Sequence, residues 1–185
     1  MKIKMKKIIL SLMIVTASMM AFAQKKTSTS ATVAFDATTA IDDLAKAENK
    51  TGIAAIDPLK NTVQFEAAIK NFAFSNPKIQ EHFNQKSWLN SDEFPKATFS
   101  GVITNPSAVN FNKDGTYNVT VEGDLTIKDK TQKVKTPATI VVAGKTLKTN
   151  ATFNIKLADF GVEGQPITAG KVSAEPKISV SAELN

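Results

Sequence analysis

YNVTVEGDLTIK (residues 117–128) alternates along its whole length. Tyr117, Val119, Val121, Leu125 and Ile127 fall on one side of an extended chain. Asn118, Thr120, Glu122, Asp124, Thr126 and Lys128 fall on the other. Successive side chains of a strand point to opposite faces, so the pattern is a strand with one dry face and one wet face. Antiparallel sheets are the ones that commonly leave a face to water.

Toward the C-terminus the pattern repeats. KDKTQK (128–133) reads as a turn, after which Val134, Ala138, Ile140 and Val142 continue an apolar face. Gly144 marks the next turn, and Leu147, Ala151, Phe153, Ile155 and Leu157 alternate with polar residues. The chain closes on KISVSAEL (177–184), where Ile178, Val180, Ala182 and Leu184 share a face. The fold class is therefore all-β and antiparallel, a sandwich or a barrel, and alternation alone does not choose between them.

Toward the N-terminus comes SDEFPKATFSG (91–101). Pro95 cannot donate to a ladder and pushes Phe94 to an extended conformation, so a strand begins at about Ala97 with Phe99 inward. Asp92 and Glu93 then form a wet corner. In TVQFEAAIKNFAF (62–74), Val63, Phe65, Ala67 and Ile69 alternate with polar or small residues; Phe72 and Phe74 have the opposite parity. A bulge or strand end near Asn71 accounts for the slip. Asn76-Pro77 is an N-cap followed by proline at the first helical position, so KIQEHFNQKSW (78–88) begins as a short helix. Further upstream, PLKN (58–61) is a turn and GIAAID (52–57) a short strand. TTAIDDLAKAENK (38–50) has a helical period that puts Ile41, Leu44 and Ala45 on one face, with Thr39 as cap. ATVAF (31–35) is expected to be the first strand, and QKKTSTS (24–30) a flexible polar start.

The first 23 residues read as a cleaved signal peptide. Lys2, Lys4, Lys6 and Lys7 precede the apolar IILSLMIVTASMMAF (8–22), and Ala21-Phe22-Ala23 presents small residues where a signal peptidase reads. That apolar stretch is short for a membrane span of roughly 20 residues. The expected product is exported to the periplasm or beyond, is soluble and lacks a stable membrane anchor. It forms a single domain over residues 31–185.

Charge and cysteine content narrow the function. All 23 basic residues are lysines, and four lie in the leader, which leaves 19 against 17 acids. Scattered lysines without arginine offer no bidentate contact to phosphate or guanine, which argues against nucleic acid. With no cysteine there is no disulfide, no thiolate metal site and no thioether-linked lipid anchor.

Chemistry-bearing residues are few. His82 is the only histidine, and Glu81-His82 does not open an HExxH motif because position 85 is Gln. Paired catalytic carboxylates face each other across a cleft of about 5–10 Å, whereas adjacent Asp92 and Glu93 diverge in a turn. DFGVEGQP (159–166) lacks the lysine and hydroxyl residue of a phosphate loop, so Asp159-Phe160-Gly161 is a turn. The reading is a non-catalytic protein, without metal or cofactor.

Three segments resemble a known family. WLNSDEFPKATFSG (88–101), YNVTVEGDLTIKDKTQKVKTPATI (117–140) and LADFGV (157–162) occur in the order and approximate spacing of the YceI-like family. The resemblance spans about residues 62–185. It implies a lipocalin-like β-barrel with one or two short helices, exported, that binds a polyisoprenoid or other long-chain apolar lipid. The opening segment departs from the family: it lacks the usual Trp-containing strand and Asp-x-x-His-Ser turn. By strand parity the barrel lining is Phe65, Ile69, Phe99, Tyr117, Val119, Val121, Leu125, Ile127, Ile140, Phe153, Ile155, Leu157, Ile178 and Val180. Phe72, Phe74, His82, Phe83 and Trp88 are expected at a mouth or lid. The small interior residues Ala67, Ala138 and Ala151 leave room for a ligand. The competing reading is a filled core, with the protein acting through its surface as an envelope or stress-related interaction module without lipid.

Overall fold

The computed structural model describes residues 25–185, so the expected leader lies outside the described residues. The strands are β1 (Lys26–Asp36), β2 (Lys46–Asp57), β3 (Thr62–Ala68), the two-residue β4 (Ala73–Phe74), β5 (Lys96–Ile103), β6 (Gly115–Ile127), β7 (Lys130–Ala143), β8 (Thr146–Asn154) and β9 (Lys177–Leu184). Two short helices interrupt them, α1 (Pro77–Asn84) and α2 (Gln165–Thr168). The sheet runs β1-β9-β8-β7-β6-β5-β3-β2, and β2 pairs back to β1. Every pairing is antiparallel, and β4 adds only a short patch on β2. Sandwich or barrel is thus decided: the sheet is a closed eight-stranded barrel, whose interior has room for side chains or for one small ligand.

The registers follow from the alternation. On β6, Val119, Val121 and Leu125 are buried, while Glu122 and Asp124 stand opposite Lys135 and Lys133 of β7. These outer-face neighbours form ion pairs at 3.4 and 2.8 Å. The β6–β7 turn is tighter than KDKTQK suggested. Ile127 already pairs with Lys130, and the turn is Lys128-Asp129, with Lys128 at φ 56°. Thr131 and Gln132 continue the ladder, so the polar composition there reflects an exposed strand end rather than a loop.

Two expectations near the N-terminus are overturned. Residues 26–30 are the first half of β1, pairing Lys26, Thr27 and Ser28 with Ile56, Ala55 and Ala54. Polar composition misled because this end of β1 is held by backbone pairing, with only Ser28 of the five buried. The helix expected over 38–50 does not form. Asp36 and Lys46 pair across a loop, and the chain from Lys46 onward is β2, with Ala47 and Asn49 buried. Thr39 caps a turn instead: its hydroxyl oxygen accepts from the Ile41 and Asp42 amides at 3.3 and 3.2 Å, and Asp42 accepts from Leu44. Such local side-chain bonds offer the backbone an alternative to helix. The would-be apolar face, Ile41 and Leu44, is 72% and 41% exposed.

The helix after Asn76 does form. The Asn76 side chain accepts from the Lys78 amide at 2.9 Å, and Pro77 occupies the first turn. β3 ends at Ala68, and residues 69–71 form a single 3-10 turn, so the parity slip at Phe72 is a strand end. β5 starts at Lys96, one residue before the expected start. The corner before it is fixed by main-chain bonds from Glu93 and Phe94 to the Asn90 carbonyl. Asp92 is exposed and pairs with Lys70 at 2.6 Å, and Glu93 accepts from the Asn90 side chain.

Candidate functional site

The barrel interior is packed in two bodies. At one end Ile103, Val119, Val142, Leu147 and Leu184 form a solid floor. At the other, Phe35, Ile69, Phe72, Phe83, Leu157 and Phe160 form a second apolar body at the mouth, where the loops 37–45, 69–95, 128–129 and 155–176 emerge. A cavity of about 130 Å³ lies between them and is walled by residues of both. A cavity of about 150 Å³ takes up one six-carbon ring, so this one has places for about five carbon-sized groups.

Two glycines shape one wall. Gly101 of β5 and Gly123 of β6 lie directly opposite each other, and the Phe99 ring lies against them. A Cβ on Gly123 would sit 2.4 Å from the Gly101 Cα and 2.8 Å from the Phe99 ring. The absence of both side chains lets the ring lie along the wall. The Ala138–Ala151 pair between β7 and β8 leaves further space on the wall. The interior is not purely apolar, because Thr136 and Thr149 reach the cavity. Thr136 spends its hydroxyl on the Thr152 carbonyl at 3.1 Å.

Most of the lining read from parity faces this cavity. Phe65 and Ile69 reach it from β3 and the turn after it, Phe99 from β5, and Val121, Leu125 and Ile127 from β6. Ile140, Phe153, Leu157, Ile178 and Val180 complete that set. Three residues do not reach it. Val119 is buried in the floor, and Tyr117 packs beside it with its hydroxyl donating to the Lys113 carbonyl at 2.8 Å. Ile155 is buried in the upper body. Parity names the inward face but not the height along the barrel axis, and these side chains sit beyond the ends of the open space.

Other lining residues had not been assigned. Val33 and Phe35 enter from β1, Ile56 from β2 and Leu89 from the loop after α1. The alternation Ala31, Val33, Phe35 was available as a signal for β1. Phe160 and Val162 were hidden in what looked like a plain turn. Gly161 takes φ 64°, which reverses the chain after a 3-10 turn and buries both neighbours against the barrel.

The expected mouth residues split between two spaces. Phe72, Phe83 and Trp88 border the inner cavity. Phe74 and His82, again with Phe83 and Trp88, border a second hollow of about 190 Å³ on the outside. Its walls come from α1, the loop 37–45 and the segment 166–172, and Asp42, His82 and Lys171 are its polar side chains. Phe83 is the hub of the mouth, with ring centroids 5.6, 5.7 and 4.9 Å from those of Phe35, Phe72 and Phe74. The edge-to-face and tilted rings are a favourable arrangement. His82, in contrast, is exposed on α1.

Among the described residues, no group of three or more His, Cys, Asp or Glu could hold a metal ion. No described helix is long and apolar enough to cross a membrane. One carboxylate at the mouth is perturbed. Asp36 accepts from the Thr38 hydroxyl and amide at 2.7 and 3.1 Å, and these bonds hold its pKa below the usual value of 3.8, with help from Lys177.

The family model for the YceI-like domain matches residues 13–184, which extends well upstream of the segments that carry the resemblance by eye. Among solved structures, the chain is similar to Burkholderia cenocepacia BcnA at 20% identity and a TM-score of 0.67, covering 84% of this chain and 96% of that one. It is also similar to a polyisoprenoid binding domain from Saccharophagus degradans implicated in plant cell wall breakdown. There the identity is 10% and the TM-score 0.73, over 87% and 97% of the two chains. A Campylobacter jejuni YCEI protein matches at 19% identity and a TM-score of 0.51, over 71% and 79%. No curated protein matches.

Proposed function

Because this chain belongs to the YceI-like family, we propose that it is a non-catalytic carrier whose barrel takes up the hydrocarbon chain of an isoprenoid or fatty-acyl lipid. The observation that carries this reading is the cavity between floor and mouth, walled almost throughout by aliphatic and aromatic side chains. The binding of polyisoprenoid ascribed to the Saccharophagus domain supports the choice of ligand class. Each CH₂ moved from water into such a space gains about 0.8 kcal/mol before the costs of association. About five enclosed groups therefore supply a gross gain of about 4 kcal/mol without a specific polar contact.

The basic, then apolar, leader-like start supports export to the periplasm or beyond, where a carrier would shield a lipid chain from water. The test is extraction of the protein from its native compartment followed by mass spectrometry of the bound lipid. An apolar fluorophore such as N-phenyl-1-naphthylamine should also be taken up by delipidated protein. Purified protein that carries no lipid and excludes the fluorophore would return the reading to a filled-core interaction module.

A further inference from the structure

We propose that the Thr149 hydroxyl is a specificity contact at the inner end of the cavity, where it reads an uncharged oxygen on the buried end of the ligand. The proposal rests on the carrier reading and adds the chemistry of the end that goes in first.

Position is the first observation. Thr149 of β8 stands in register between Ile140 of β7 and Ala182 of β9, and both neighbours belong to the floor. Three β8 residues line the cavity, Thr149, Ala151 and Phe153, and Thr149 is the one nearest the floor. Only 8% of it is exposed.

The state of the hydroxyl is the second. Among the described residues it has no hydrogen-bond partner, yet its oxygen is not sealed in by neighbouring atoms, so it borders the open space. The backbone of Thr149 serves the ladders on both sides. Thr136, the other inward hydroxyl, is committed to the Thr152 carbonyl. A buried water needs about two to four polar partners, which a lone hydroxyl in an apolar cavity does not supply. An unpaired buried hydroxyl is unfavourable, and a ligand oxygen that reaches it removes the penalty.

Charge is the third. A hydroxyl both donates and accepts, so it pairs with an alcohol, phenol or ketone oxygen alike. A carboxylate, phosphate or ammonium would be stripped of water there and find no charged partner on the inner wall. Glu66 borders the cavity, but its carboxylate is on the outer face, paired with Lys96 at 2.9 Å. Burying an unpaired charge costs far more than one neutral contact returns.

Competition against N-phenyl-1-naphthylamine with benzene, phenol and benzoate near neutral pH tests this, because the cavity is close in size to one that takes up a six-carbon ring. Each probe is measured on lipid-free wild type, on Thr149→Val, which keeps the shape and removes the hydroxyl, and on Thr149→Ser, which keeps the hydroxyl. Phenol should lose about three- to tenfold in affinity in Thr149→Val, the worth of one hydrogen bond, while benzene is unchanged. Thr149→Ser should keep the wild-type ratio of phenol to benzene affinity. Benzoate should bind the wild type more weakly than phenol. Without ligand, Thr149→Val should melt about 2–4 °C above the wild type, since an unpaired buried hydroxyl is gone. A lower Tm would show that the hydroxyl already has a partner and would overturn the proposal. Equal responses of phenol and benzene to Thr149→Val would overturn it too, while leaving the carrier intact. Benzoate binding as tightly as phenol would overturn the uncharged class. If the wild type takes up neither the fluorophore nor benzene, carrier and contact fall together.

Discussion

Replacing Ala151 by Leu asks whether the space in the barrel is real. Ala151 faces Ala138 across β7 and β8, and both line the cavity. The substitution adds three carbon atoms to a space with about five places. Burying them gains about 2.4 kcal/mol, and ordering the leucine side chain costs about 0.5–1 kcal/mol, for a net gain near 1.5 kcal/mol. In a domain of this size that raises Tm by about 3–6 °C, read by circular dichroism on delipidated protein. The same atoms occupy three places a ligand would use, so affinity for the fluorophore should fall by about fiftyfold. Stability and binding are thus expected to move in opposite directions. A lower Tm would mean that the wall is already close-packed, as overpacking costs about 1–3 kcal/mol. Unchanged affinity would mean that ligands bind elsewhere. Either result would refute the reasoning.

Gly123→Ala places a methyl group 2.4 Å from backbone atoms of Gly101 and Ser100, so it should cost about 1–3 kcal/mol in urea unfolding. A neutral result would show that β5 and β6 part easily. Phe83→Ala removes the aromatic hub of the mouth, so it should destabilise by about 3 kcal/mol and speed fluorophore uptake in stopped flow. Unchanged uptake would deny that Phe83 is the barrier. Asp36 has a folded pKa below its unfolded value of 3.8, so its bonds to Thr38 and Lys177 stabilise the protein fully above that value. The stabilisation is lost as pH falls through the folded value. Asp36→Asn should therefore be less stable than wild type at pH 6, and the two should converge below pH 3.8.

The sheet was legible because its outer face is polar at nearly every second residue. Glu122 and Asp124 on β6 and Lys133 and Lys135 on β7 mark the wet side so regularly that the buried side follows. The β1–β2 region was not legible in that way. Ala47 and Asn49 are buried on β2 and Ala45 just before it, but alanine and asparagine carry little apolar contrast, and the local helical period of Ile41 and Leu44 dominated. Pairing with β1 overrode it, a tertiary effect that no short window contains. At the site, parity assigned Phe99 and Ile140 correctly to the inside, yet it ranked Val119 equal to Val121. Only the stagger of the strands separates floor from cavity. The outer hollow was least visible, since it joins residues as distant as His82 on α1 and Asp42 and Lys171 in loops without periodicity.

Closure of the barrel has a consequence for the order of events in folding. β1 lies between β2 and β9, so the first of the described strands completes its pairing with the last of them. Until Lys177–Leu184 has left the ribosome, one edge of β1 and one of β8 stay unpaired. Contacts of such long sequence separation form late and slowly. The chain therefore spends its synthesis as an open, incomplete sheet. The same open edges are a hazard if the chain lingers, because unpaired strand edges recruit other chains. Removing the last strand should thus yield aggregates rather than a smaller soluble barrel.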